Sequence, residues 1–289
     1  MSSPEFPASS AAPVNPEPAV MAERRGPILV LRLNRPQVRN ALNAELVAAL
    51  HTELLAAQND AQVRCVVLCG AGRVFSAGAD LKALQELGRA SSEDNKADSQ
   101  RLADLLHLIY TGRLPVVAAV EGAAVAGGAG LASACDLVVA GEGAKFGYTE
   151  VRLGFVAAIV MVFLLRSVGE KHARELLLTG RLVTAHEAYR MGLINELVPD
   201  GGAEARALEL AAELAQGSAT ALASTREMLS LLPGMGLSES LRYAVGVNAW
   251  TRTTADLREG VAAFLEKRAP GWRPEPGEPE PAQPEPAQE

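Results

Sequence analysis

The feature that most constrains this chain is a repeated order in which a short β-branched run is followed by a glycine-rich turn and then by a helical pattern. It is plainest over residues 116–140, where VVAAV leads into EGAAVAGGAG, with four glycines in ten residues, then a helix of small residues and the run LVVA. Brief apolar runs bounded by Gly, Pro or charge read as buried strands. Ile28–Leu33, Val63–Cys69, Val116–Val120 and Leu137–Ala140 all fit that description. Between them, Ala44–Ala57 opens at Asn43, a good N-cap, and Arg101–Tyr110 repeats apolar residues at helical spacing more weakly. Alternation of this kind predicts an α/β fold built on a buried sheet. After about residue 158 the strand signals thin to Leu193–Val198. Helices dominate there, over Glu170–Leu178 stopped at Gly180, over Ala203–Leu214 and beyond Ser238.

Charge and proline are unevenly placed. Of 17 prolines among 289 residues, 12 fall in residues 1–20 and 270–289. These two segments hold −2 and −4 of the formal charge of −7, which leaves −1 for residues 21–269. The reading is therefore a disordered tail over 1–24, an α/β core over 25–200, a helical region over 201–269 and a disordered acidic Pro-rich tail over 270–289. A near-neutral core has no field of Lys and Arg for nucleic acid, so an anionic ligand must be held locally. The longest uncharged apolar run, Phe155–Leu165, is shorter than the roughly 20 residues of a membrane span. The N-terminus lacks a basic-then-apolar export signal, and Cys65, Cys69 and Cys135 form neither a CxxC pair nor an even disulfide set. A reducing, cytoplasmic setting is expected, with the thiols packed as small hydrophobes.

Three segments are candidates for chemistry. FSAGADL (75–81) follows a strand and enters a helix at Leu81, with Asp80 placed to cap it. EGAAVAGGAG (121–130) sets a glycine turn and a helix start after a strand, which gathers exposed N–H donors and a partial positive dipole. FGYTEVRLG (146–154) frames Glu150 between glycines. Taken alone, each has a plain structural explanation, because glycines after strands make turns. Gly70-Ala71-Gly72 mimics half of a dinucleotide fingerprint and fails at Phe75, where the third glycine belongs. There is no phosphate-loop motif and no HExxH or Cys/His metal spacing, and His51, His107, His172 and His186 stand singly in helical patterns.

Together the motifs say more. Asn34-Arg35-Pro36, Arg39-Asn40-Ala41-Leu42, FSAGADL, EGAAVAGGAGLASACDLVVA, AKFGYTEVRLG and the terminal AFLEKRAPGW closely resemble, in order and spacing, the enoyl-CoA hydratase/isomerase (crotonase) family, over roughly residues 25–268. The resemblance implies a spiral of ββα units with a C-terminal helical trimerisation region, assembled as homotrimers or dimers of trimers. It also implies stabilisation of an enolate formed from an acyl-CoA thioester, with coenzyme A entering as part of the substrate and no separate cofactor or metal. The oxyanion-hole donors would be the backbone N–H groups of Ala79 and Gly127, which matches the bottom-up reading of a helix N-terminus. Loss of one such donor costs about 3–4 kcal/mol in other enzymes. Small residues at Ala77, Gly78, Gly127 and Gly128 would keep the thioester slot open. The resemblance further suggests backbone contacts to adenine near Ser76 and Ala77. Arg39 and Lys82 would lie near the polar part of the ligand, and Phe264 and Lys267 would approach from the C-terminal helix, of a neighbouring subunit or the same one.

Many hydratases of the family carry two glutamates. Here the first falls on Gly130 and only the second, Glu150, is matched. Glu150 is the candidate general acid/base. A single carboxylate suits double-bond isomerisation. Yet TEVRLGFVAAIV with glycine at 130 also resembles the methylglutaconyl-CoA hydratase branch, which hydrates with the later glutamate alone. Hydration of a 2-enoyl-CoA is favoured. The alternatives are isomerisation by Glu150, a non-catalytic acyl-CoA-binding member, and an interaction protein working through its acidic tail. Phe155–Leu165 is expected either to wall the acyl pocket or to pack as a buried helix. Glu121, at the end of a strand, is the other carboxylate that could reach the cavity.

Overall fold

The computed structural model describes residues 17–273. Its main sheet has six strands: β1 (Val20–Arg25), β2 (Ile28–Leu33), β3 (Cys65–Gly70), β4 (Val116–Val120), β6 (Leu137–Gly141) and β9 (Glu196–Val198), in spatial order β1-β2-β3-β4-β6-β9. All neighbours are parallel except the β1–β2 hairpin. A second, three-stranded sheet sets β5 (Ala123–Val125) parallel to β7 (Lys145–Gly147), and β7 antiparallel to β8 (Val183–Thr184). The helices are α1 (Ala44–Asn59), α2 (Leu81–Leu87), α3 (Ser92–Thr111), α4 (Gly127–Ala134), α5 (Val160–Thr179), α6 (Ala185–Arg190), α7 (Ala203–Ala215), α8 (Ala219–Leu231), α9 (Leu237–Thr251) and α10 (Ala255–Glu266).

The period of two along the strands sorts side chains onto two faces of the main sheet. Leu31, Leu33, Val66, Leu68, Val116, Ala118 and Val120 join the larger core with α1, α3, α4 and α5. Val30, Cys65, Val67, Cys69, Val117 and Ala119 face the other way, onto α7. Four alanines spaced one turn apart, Ala203, Ala207, Ala211 and Ala215, are fully buried and let α7 lie close on the strands. The three cysteines sit in these cores as thiols, and burial pushes Cys65 and Cys69 up to about 12.

Three of the expected boundaries are corrected. Strand β1 begins inside the segment 1–24 read as a tail: VMAERR pairs along its whole length with β2 while five of its six side chains are exposed. An edge strand that buries only Val20 leaves no apolar alternation to detect. The division at residue 200 also falls within the core, because α7 is one of its layers. At the other end, Trp272 lies against Gly260 and donates from Nε1 to Gln216 O, and Gly271 N–H bonds Glu259, so the ordered chain continues past residue 269. The tail segments 1–16 and 274–289 lie outside the described residues.

The expected helix after Asn43 is present, with the Asn43 side chain accepting from Leu46 N–H. Helix α5 is longer than its sequence signal: Gly169, at φ 72°, breaks it just before Glu170, and it ends on Gly180 in the left-handed conformation. The expected strand Leu193–Val198 shortens to β9. Replacing Ala207 with leucine would force α7 off the sheet; urea unfolding is expected to show a loss of about 1–3 kcal/mol with the fold retained.

Candidate active site

Two loops carry the glycine motifs, and backbone hydrogen bonds sew them together. Ser76 N–H donates to Ala123 O at 3.0 Å and Val125 N–H donates back to Ser76 O at 3.0 Å, which adds residue 76 to the edge of the small sheet as a bridge to Ala124. On its other side the 75–80 loop bridges Leu42, with Leu42 N–H on Gly78 O and Asp80 N–H on Leu42 O. The approach is so close that only glycine fits at key points. A Cβ on Gly128 would meet Ser76 O at 2.5 Å, and one on Gly78, which sits at φ 91°, would meet Val125 O at 2.7 Å. Ala126, between them in sequence space, is held at φ 50°, ψ −122°, a costly conformation for an L-residue. Its N–H is fixed by Gly147 O at 2.7 Å.

That geometry leaves two donors unspent. Among the described residues neither Ala79 N–H nor Gly127 N–H donates a hydrogen bond, and both residues line a cavity of about 1270 Å³. Gly127 opens α4, where N–H groups lack partners and the helix dipole is positive.

Glu150 lines the same cavity at the start of the 3-10 turn Glu150–Leu153. It is 7% exposed, and its Oε2 is buried with no hydrogen-bond partner. Burial raises its pKa above the ordinary carboxylate value, and no basic side chain opposes the rise. Two residues upstream, the fully buried Tyr148 hydroxyl lies 2.6 Å from Ser133 Oγ and donates to Ala129 O, which ties the segment carrying Glu150 to α4. Asp80, which also lines the cavity, differs from Glu150. Burial acts to raise its pKa, but the Arg35 guanidinium at 3.0 Å and the N–H groups of Lys82 and Ala83 outweigh it and hold the carboxyl low. Asp80 is thus a charged cap on α2, as its position suggested.

The remaining candidates divide. Ala77 and Lys82 line the cavity. Ser76 does not: its N–H and C=O are both consumed by Ala123 and Val125, and its hydroxyl by Asn40 O, so the expected backbone contact to adenine at Ser76 is corrected. Gly78 and Gly128 make room for the opposing loop rather than for a ligand. Arg39 lies outside the lining and contributes its carbonyl, in a left-handed turn, to Ala77 N–H. The arginines on the cavity are Arg35 and Arg101; the NRP motif contained Arg35, but only the fold could orient its side chain. Gly130 is shielded from the cavity by Val160. Phe264, 83% exposed, lines a separate groove among α8, α9 and α10, and Lys267 forms the left-handed end of α10, so neither reaches the cavity within one chain. Glu121 accepts from Gly201 and Ala203 N–H and caps α7. Residues Phe155–Val160 wall the cavity while Val160–Leu165 continue as helix, so both expectations for that run hold in part.

Comparison with known proteins agrees with this geometry. The profile of the enoyl-CoA hydratase/isomerase family matches residues 23–275. A Thermus thermophilus protein assigned to the enoyl-CoA hydratases is 52% identical over 246 residues, covering 85% of this chain and 97% of its own. The 2,3-dehydroadipyl-CoA hydratase of Escherichia coli is 35% identical over 255 residues, 88% of this chain and 98% of its own. The crystal structure of an enoyl-CoA hydratase from Mycobacterium smegmatis superposes with a TM-score of 0.84 at 32% identity, over 89% of this chain and 100% of the other. With two adjoining loops presenting N–H donors to a cavity that holds one buried carboxylate, and with these matches along nearly the whole ordered length, the chain belongs to the enoyl-CoA hydratase/isomerase family.

Proposed function

We propose that the protein adds water to the double bond of a 2-enoyl-CoA thioester. The observation that carries this is the convergence on one cavity of two unspent backbone N–H groups and a carboxylate whose buried Oε2 has no partner. The thioester oxygen lies between Ala79 and Gly127 N–H, where charge accumulates as water attacks the β-carbon. Glu150, as the carboxylate, takes a proton from the attacking water. It then delivers a proton to the α-carbon as the enolate collapses, so the net change is one water across the double bond. Glu150's raised pKa keeps that proton transfer closer to balance at neutral pH than an ordinary carboxylate would.

Lys82 is the cavity cation with no carboxylate partner among the described residues, Arg35 and Arg101 being paired with Asp80 and Asp98, so it is the one available to the CoA portion, whose path Ala77 borders. The reaction uses no cofactor or metal beyond the CoA of its substrate. Assembly as a homotrimer or dimer of trimers is supported by α9, which buries none of its residues in one chain, and by exposed Leu237, Leu241, Val245, Phe264 and Leu265. In that assembly Phe264 and Lys267 serve a neighbouring cavity. No helix among the described residues is long and apolar enough to cross a membrane, and the reducing setting read from the cysteines suits a cytoplasmic enzyme. A second reading, double-bond isomerisation by Glu150 alone, is favoured by its being the one buried carboxylate among the described residues that line the cavity; incubation with 2-enoyl- and 3-enoyl-CoA separates the two, since hydration adds the mass of water and isomerisation adds none.

Glu150→Gln is expected to lower hydration turnover by about 10²–10⁴-fold while thioester binding, measured by calorimetry, persists. Unchanged turnover would refute the assignment. The same variant has a stability signature. A folded-state pKa raised by burial means that the ionised carboxylate opposes folding at neutral pH, a penalty that fades as pH falls through that pKa. Glu150→Gln is therefore expected to melt at or above the wild-type temperature at pH 7, with the difference shrinking as pH is lowered toward the ordinary carboxylate range.

A further inference from the structure

Gly130, fully buried in the first turns of α4, faces the first residue of α5. A Cβ at Gly130 would stand 2.7 Å from Val160 Cβ and closer still to its Cγ1. Val160, 3% exposed, lines the cavity that holds Glu150, and Gly130 does not. The isopropyl group thus occupies the volume through which any side chain at Gly130 would enter. Since atoms this close cannot coexist, the identities of residues 130 and 160 are coupled: a larger residue at one demands a smaller one at the other.

We propose that Val160 is a specificity-determining residue that commits this site to a single carboxylate, by filling the space over Gly130 with an apolar wall and so leaving Glu150 as the only group able to hold water and carry its proton. The inference rests on the hydratase reading above. The wall acts in two ways. It bars an acid at position 130 from entering the cavity, and its isopropyl group offers water no hydrogen bond, which leaves the water to Glu150, whose Oε2 finds no partner in the protein. Water, once bound, is held by Glu150, and its proton and the one returned to the α-carbon travel through the same carboxyl group. The charged groups sharing the cavity are the Arg35–Asp80 pair, the Asp98–Arg101 pair, Lys82 and Glu86, with Arg152 on Glu150's own turn. The first four neutralise one another in pairs.

The test begins with wild-type hydration of a 2-enoyl-CoA; if no such thioester is hydrated, the functional reading fails and not the pairing. Given activity, Gly130→Glu alone is expected to lose turnover on the order of a hundredfold, because the new side chain must displace Val160 and the start of α5. Combining it with Val160→Gly should restore most of that loss. The acidic limb of kcat/KM should then move up by about half a pH unit or more relative to Val160→Gly, since two carboxylates sharing one cavity disfavour each other's ionisation. Gly130→Ala with and without Val160→Ala repeats the comparison with smaller changes, read by thermal melting as well as turnover, should the larger variants not fold. Val160→Ser, which offers water a partner, should move the acidic limb down. Full activity of Gly130→Glu with Val160 in place, a double variant no better than the single one, or an acidic limb unmoved by both Val160→Ser and the double variant would overturn the proposal.

Discussion

The pair of hydrogen bonds between Ser76 and the 123–125 strand is the constraint from which the site follows. It welds two loops that are nearly fifty residues apart in sequence so tightly that Gly78 and Gly128 have no room for a Cβ. Once welded, the loops cannot satisfy every N–H they contain, and the donors left over at Ala79 and Gly127 face the cavity. Backbone donors fixed this way need no reorganisation when charge develops opposite them, which is the property that makes such holes effective. The strain held at Ala126 is the local cost of this arrangement.

Glu150 is coupled to the same frame. Ala126 N–H on Gly147 O ties the donor loop to β7, and the buried Tyr148 hydroxyl ties β7's continuation back to Ser133 and Ala129 on α4. Donors and carboxylate are thus spaced by rigid backbone and buried polar contacts rather than by mobile side chains. The near-neutral ordered chain fits this plan: positive charge is offered to the cavity locally, by Lys82 and the N-terminus of α4. The apolar stretch Phe155–Val160 completes the lining of the cavity.

Much of this was legible in the chain. Strands β2, β4 and β6 and the capped start of α1 follow from local pattern, because buried strands and N-caps write their requirements into adjacent residues. The two donor positions and Glu150 were also marked, by motifs whose glycines report how closely the backbones approach. What escaped notice has a common cause: it depends on partners distant in sequence. β1 is an edge strand recognised only by its register with β2. Ser76 looked like a ligand contact because nothing nearby in sequence reveals that residues 123 and 125 consume its backbone. Arg35 rather than Arg39 reaches the cavity because of a left-handed turn at Arg39 and Asn40. Val160 is thirty residues from Gly130, and neither residue alone signals the other.

Catalysis at this site depends on where the thioester oxygen sits. A crystal structure of the protein with a bound, non-reacting acyl-CoA thioester measures this directly. The carbonyl oxygen is expected within about 2.7–3.1 Å of both Ala79 and Gly127 N–H, with the α- and β-carbons facing Glu150. A thioester bound with its carbonyl away from those two amides, or with Glu150 turned out of reach of the acyl carbons, would contradict this placement.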